Sequence, residues 1–296
     1  MRMRRLTSIC AGMILCLGVV ANAQEVSIKT TRVAGNVYML EGSGGNIGVS
    51  VGADGILIVD DQFARLAEKI RAALRDISEG KLEFLLNTHW HGDHTGGNEV
   101  FGREATIIAH ENVRKRMVTG AKRPERTIEP SPEGALPVIT FDSSLSLHFN
   151  GEEIKAIHAP QSHTDGDCVV YFTGSNVVHM GDLFFSGLFP FVDLASGGDV
   201  EGYIHSVKKV LDELSGGVKI IPGHGPLSTL DDLESFHTML VETTRVIRAR
   251  MKDGRSLDEI KDAGLGARWD SWSWSFIPTE RWIETVYNSY SPGERR

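Results

Sequence analysis

The stretch FLLNTHWHGDHTGGNEVFG, residues 84–102, places three histidines and an aspartate within six positions, behind an apolar run and ahead of two glycines. A soluble chain gains little from crowding imidazoles in this way unless a cation gathers them. The apolar run reads as a strand ending near Asn87 and Thr88, with a turn at Gly92. Residues two apart at an extended strand end point the same way, so His89 and His91 address one point. Asp93 and His94 are adjacent and address a second point a short distance off. Nitrogen and carboxylate donors without a thiolate suit zinc, and accept iron or manganese. Gly96 and Gly97 leave room for the backbone to come close to this site.

Three more donors follow where strands meet loops: His163 in APQSHTDGD, Asp182 at the end of NVVHMGD and His224 in IPGHGP. Seven donors exceed what one ion takes, and fit two ions with one shared carboxylate. The other histidines read as structural. His110, His148, His158 and His179 alternate with apolar neighbours in strands, while His205 and His237 lie on helix faces. Of these, His158 and His179 are expected nearest the site.

Around the cluster, NVYMLEG, NIGVSVGADGILIVD and LEFLLNT carry the branched and aromatic residues of strands, with ADG as a hairpin turn. QFARLAEKIRAALRDI spaces Phe63, Leu66, Ile70 and Leu74 as one helix face, and a further helical piece is expected over 97–119 around the strand EATIIAH. Residues 120–140 are charged, proline-rich and aperiodic, and read as a surface loop rimming the site. Strands resume at LSLHF, EEIKAIHAP, CVVYFTG and NVVHMGDLFF. A helix over VEGYIHSVKKVLDEL and the short strand in VKIIPGHGP complete a second β-rich half. Two such halves backed by helices predict an α/β protein: a four-layer αβ/βα sandwich with two packed sheets inside. Residues 229–296 read as a helical extension on the same domain, holding four of the five tryptophans. Those rings are expected chiefly to pack over the sheets, and secondarily to wall a substrate pocket.

Residues 1–23 read differently from the rest. An arginine-rich start, a short apolar core and Ala21-Asn22-Ala23 form an export signal cut before Gln24, too short for a span of ~20 residues. No lipid-attachment pattern precedes Cys10 or Cys16. The expected location is periplasmic or secreted, and the mature chain, from residue 24, is expected to be free of membrane. Losing Arg2, Arg4 and Arg5 takes the formal charge from −8 to −11. So acidic a chain disfavours nucleic acid as a partner. Only Cys168 remains, so no internal disulfide forms, and stability rests on the core, on metal or on assembly as a monomer or small homo-oligomer.

THWHGDH, His163, Asp182 and PGHG together resemble the metallo-β-lactamase fold superfamily, over residues 30–230 or so. That resemblance implies His89, His91 and His163 on a first zinc, Asp93, His94 and His224 on a second, and Asp182 bridging. It also implies that Asp60, which ends ILIVD, orients a ligand imidazole, with Asp61 left as a capping or surface acid. The activity implied is hydrolysis of an amide or ester in a small carbonyl substrate by metal-bound hydroxide, with Asp93 anchoring the second ion and steering the water. THWHGDHTGGN is similar to the zinc β-lactamases of subclass B1, but those carry cysteine where Asp182 stands and, three residues on, a carboxylate-gripping lysine where Phe185 stands. The aspartate bridge resembles glyoxalase II. The resemblance thus implies a hydrolase that includes β-lactamase activity in its range, with thioesterase or lactonase activity, and a non-catalytic periplasmic metal-binding or relay role, as the alternatives.

Overall fold

A computed structural model describes residues 25–123 and 127–291, and the export signal expected over 1–23 lies outside the described residues. Strands β1 (Lys29–Ala34), β2 (Val37–Glu41), β3 (Ile47–Gly52) and β4 (Gly55–Val59) form an antiparallel meander. The ADG turn closes its last hairpin, with Gly55 at φ +117°. Helix α1 (Ala67–Ile77) returns the chain to β5 (Leu82–Asn87), parallel to β4. Two single-turn helices, α2 (Gly92–Thr95) and α3 (Asn98–Phe101), lead to β6 (Thr106–His110) and α4 (Glu111–Thr119). A small hairpin of β7 (Ala121–Lys122) and β8 (Thr127–Ile128) precedes β9 (Ile139–Phe141). The first sheet runs β1-β2-β3-β4-β5-β6-β9, its last three strands adding in parallel.

The second sheet holds β10 (Ser144–Phe149), β11 (Glu152–His158), β12 (Cys168–Phe172), β13 (Val177–His179) and β14 (Lys219–Ile221), in that order. Helix α5 (Val200–Glu213) makes the crossover that lets β14 run parallel to β13. Period-two alternation sorts the side chains into layers. Val37, Met39, Leu57 and Val59 meet Ile154, Val170, Phe172 and Ile221 between the sheets. Their neighbours Leu40, Ile56 and Ile58 face outward onto Ile70 and Leu74 of α1. On the far side, Val178 and Ile220 pack under Tyr203 and Val207 of α5. The result is the four-layer sandwich.

Helices α6 (Leu230–Lys252), α7 (Leu257–Ala263) and α8 (Thr279–Tyr290) share this last core. A reciprocal cap between Thr229 and Asp232 starts α6. Trp282 is fully buried and its indole N–H donates to Thr243 Oγ1 at 3.0 Å. No helix of the described residues is long and apolar enough to cross a membrane.

The segment 120–140 lies at the surface over most of its described length, as its composition predicts, but it is not without secondary structure. It contains β7, β8 and β9, and buries Ala135 and Leu136 against Trp90, Val113 and Met117. Strands of two or three residues are too short to show a period, so the pattern of prolines and charges hides them.

Candidate metal centre

Strands β4, β5, β13 and β14 all end on one rim of the sandwich, and the chemistry-bearing residues leave from there. Asp60 follows β4 at φ +66°, a left-handed backbone unusual for a non-glycine, and is fully buried. The contacts that hold it there organise the site. Its carboxylate accepts the Thr88 amide at 2.7 Å, the Thr88 hydroxyl at 2.8 Å and His94 Nδ1 at 2.7 Å. Having given its proton to Asp60, the Thr88 hydroxyl accepts from His89 Nδ1 at 3.1 Å. His163 Nδ1 donates to the Phe191 carbonyl at 2.7 Å, and His91 Nε2 donates to Asp193 Oδ2 at 3.0 Å.

These outer acceptors fix the tautomers, leaving bare lone pairs on His89 Nε2, His91 Nδ1 and His163 Nε2. The three converge, with His91 Nδ1 at 3.2 Å from His89 Nε2 and 2.8 Å from His163 Nε2. Donor atoms bound at ~2.0–2.1 Å to one tetrahedral ion lie about 3.3 Å apart, so the spacing matches a shared cation.

Asp182, in the turn after β13, faces both ways. Its Oδ2 lies 3.5 Å from His163 Nε2 and 3.8 Å from His89 Nε2, while Oδ1 lies 3.1 Å from His94 Nε2 and 3.4 Å from His224 Nε2. Asp93 Oδ2 completes the second group, 3.3 Å from His224 Nε2 and 3.7 Å from His94 Nε2. Within each group, His89, His91, His163 and Asp182 or Asp93, His94 and His224, the donor atoms lie within 4.8 Å of one another. With His94 Nε2 unprotonated, that lone pair and Asp182 Oδ1 face each other in a buried place with no hydrogen between them, an expensive arrangement that a bound cation relieves. The residues fit two divalent cations sharing one carboxylate.

Two glycines make this packing possible. A Cβ on Gly45 would stand 2.1 Å from the His94 ring, and one on Gly223 would stand 2.1 Å from Asp182 Oδ1. Gly96 and Gly97, expected in this role, instead press against the backbone and side chain of residues 61–63, behind the donors.

The two groups differ in proton affinity. Burial pulls His163 down to about 4 and His89 well below its ordinary value, so both are neutral at pH 7. His94 and His224 are buried too, yet the carboxylates around them, Asp182 foremost, raise His94 well above its ordinary value and His224 to about 9. Both therefore carry protons in the metal-free protein at neutral pH. Zinc added to metal-free protein in weak buffer at pH 7 should release about two protons from His94 and His224 and none from His89 or His163. Release should shrink as pH rises through 9. Release of no protons at pH 7, read with a pH indicator, would sink this division.

Asp193 escaped the reading of the sequence, where it has no flanking motif. Besides accepting from His91, it pairs with Arg123 at 2.7 Å and accepts from Ser196 Oγ at 2.6 Å. Despite burial, His91 and the other donors hold its carboxyl far below the usual range. Arg123 lies beside β7, so the supposed surface loop braces a metal-facing imidazole. Asp193→Ala should weaken zinc at the first group by about 10- to 100-fold, measured by competition with a chromophoric chelator.

Asp61 is fully buried and accepts the Gly97 amide at 2.9 Å, so it caps the entry to α3 and is not a surface acid. Burial raises its carboxyl well above the usual range. Cys168 is buried. Among the described residues, none of the other six histidines joins either group. His179 donates to the Asn46 carbonyl beside the site, and His158 stacks on His110 at 3.7 Å, away from it.

Fold and site together define a two-metal hydrolase centre on a four-layer sandwich. The chain belongs to the metallo-β-lactamase superfamily, whose family model matches residues 30–224. An uncharacterised protein of Aquifex aeolicus is 30% identical over 198 residues, covering 64% of this chain and 90% of that one. The hydroxyacylglutathione hydrolase of Gloeobacter violaceus is 28% identical over 214 residues, 66% of this chain and 75% of that protein. Among solved structures, a metallo-β-lactamase from Pontibacter korlensis superposes with a TM-score of 0.62 at 16% identity, covering 72% of this chain and 99% of its own, a likeness of fold.

Proposed function

We propose that this chain is an exported two-zinc hydrolase of a small ester-type carbonyl substrate, an ester, thioester or lactone, with lactams as slower substrates. The observation that carries the reading is Asp182, one oxygen facing each group of converging donors. Two divalent cations held there would supply Lewis-acid polarisation of the carbonyl and an acidified water. His89, His91 and His163 would hold one, Asp93, His94 and His224 the other, with Asp182 between.

The chain's own groups do the rest. Asp93 has a side chain 31% exposed at the mouth, and despite burial the neighbouring imidazoles, His94 first, hold its carboxyl at about 2. It stays ionised at any working pH and could accept a hydrogen bond from the attacking water and so orient it. Asp60 and Asp193 keep His94 and His91 in the donor tautomer. Phe185 is buried and stacks on His224 at 5.0 Å, so no cation grips a carboxylate at that position. That favours ester-type bonds over lactams. An aspartate bridge and likeness to a hydroxyacylglutathione hydrolase point the same way. Export rests on the character of residues 1–23.

The test is metal counting on the purified protein, followed by a panel of thioester, lactone, lactam and phosphodiester substrates. Two zincs and thioester or lactone turnover support the proposal. One iron with oxygen consumed against a persulfide would overturn it, and so would two zincs with no cleavage of any carbonyl substrate.

A further inference from the structure

One side of the metal centre is walled by aromatic rings that ion binding does not require. Phe185 lies nearly parallel to the His224 imidazole, at 18° and 5.0 Å. Trp274 stands 6.3 Å from Phe185 and 6.5 Å from His224. Phe276 follows at 5.5 Å from Trp274, and Phe191 at 5.7 Å from Phe276. Phe191 closes the series 5.8 Å from His91. The rings thus run from a donor of one group to a donor of the other. Three separate segments supply them: the turn after Asp182, the stretch leading to Asp193, and the C-terminal extension.

The wall has a floor and a rim. Phe185 is 1% exposed, whereas Phe276 is 46% exposed, which a ring serving only to fill a core would not be. Over the rim lies Arg281, in the first turn of α8, its guanidinium 4.5 Å from the Phe276 ring and 5.4 Å from Phe191. Its Nη1 donates to the Phe276 carbonyl at 2.8 Å, and among the described residues no carboxylate pairs with it. Stacked on the rings with Nη1 engaged, Arg281 still presents Nε and Nη2, a planar pair of donors suited to an incoming carboxylate. Apolar lining with one convergent polar group is how a ligand subsite is built.

We infer that this wall is the subsite that selects the substrate's acyl group: it takes a flat aromatic ring carried next to the scissile carbonyl, and Arg281 pairs with an anionic substituent on the ring's far edge. The inference rests on the hydrolase reading for its position beside the reacting bond. Only one ring, Phe191, separates Arg281 from His91, so the acyl group is short, about the size of an arylacetyl unit. Specificity of this kind answers the absence of a cation at Phe185, because the charge is read at the rim.

The experiment uses the zinc-loaded protein and three thioesters of N-acetylcysteamine, carrying acetyl, phenylacetyl or 4-carboxyphenylacetyl groups, with kcat/KM as readout. Phenylacetyl should exceed acetyl by about 10- to 200-fold, the range that apolar pocket contacts command. The carboxyl group should add about 10-fold, as a hydrogen-bonded charge does. Phe276→Ala should collapse the phenylacetyl-to-acetyl ratio, and Arg281→Met should remove only the increment from the carboxyl group. Equal rates for all three thioesters, or an equal fall on all three in both variants, would overturn the subsite. In parallel, binding of phenylacetate and 4-carboxyphenylacetate is followed by tryptophan fluorescence. If no thioester is cleaved but both acids bind, the second more tightly and only through Arg281, the hydrolase reading fails and the subsite stands. If neither acid binds, the subsite fails even where thioesters are cleaved.

Discussion

Asp182→Asn should reduce the bound metal from two ions per chain to one or fewer, and lower hydrolysis by about 10³-fold. The physical reason is that the two oxygens of Asp182 have separate duties. Oδ2 faces His89 and His163, and Oδ1 faces His94 and His224. Asparagine supplies one uncharged oxygen and, on the other side, an NH₂ that donates to the imidazole lone pairs and so occupies them against a cation. One group then loses its negative donor entirely. Several kcal/mol of charge stabilisation at the carbonyl go with it, and each 1.4 kcal/mol or so is a factor of ten. The backbone of Asp182 is independently anchored, since Tyr203 Oη donates to its carbonyl at 2.6 Å, so the variant should fold. Metal analysis by plasma mass spectrometry, alongside a thermal melt, separates the outcomes. Two retained zincs with ordinary kinetics would remove Asp182 from the bridging position.

The alternation of Val37 and Met39 against Leu40, or Leu57 and Val59 against Ile56 and Ile58, is written directly in the chain. So the four layers could be read before any coordinates. The seven metal-facing residues were legible for a related reason: each follows a strand or sits in a glycine-rich turn, where local geometry dictates direction. What stayed hidden depends on contacts between distant segments. Asp193 reaches His91 across 102 residues, and its cap on a short turn, accepting the Ser196 amide, shows only once the chain is folded. Arg123 sits in a segment whose composition suggested exposure. The burial of Asp61 follows from Gly97 closing over it, which no periodicity reports. Likewise the tryptophans looked alike in sequence, yet Trp282 fills the core while Trp274 leans toward His224.

Asp60→Asn is expected to cost nearly as much as loss of the bridge, although Asp60 touches no metal-facing oxygen or lone pair. Its carboxylate accepts three donors at once, the Thr88 amide, the Thr88 hydroxyl and His94 Nδ1. An asparagine at 60 can keep the amide bond with its oxygen, but its NH₂ then confronts the hydroxyl and the imidazole N–H. The imidazole escapes by moving its proton to Nε2, the atom that faces Asp182. His94 in that tautomer has no lone pair for a cation, the same logic by which a serine-protease triad fails when its aspartate becomes asparagine. Zinc at the second group should weaken by about 10- to 100-fold or more. Stability of the metal-free protein should fall by about 3–5 kcal/mol, because a buried partner of a charged group is removed. The loss carries a pH signature. In the wild type the carboxylates around His94 overcome the effect of burial and raise it well above its ordinary value. Its contribution is therefore fully present below about pH 6.5 and is lost as pH rises through the folded-state value. With Asp60 neutralised that raise diminishes, so urea midpoints of wild type and variant should differ most in mildly acidic solution and converge toward alkaline pH. A gap that widened with pH instead would mean that Asp60 stabilises the fold by some route other than His94.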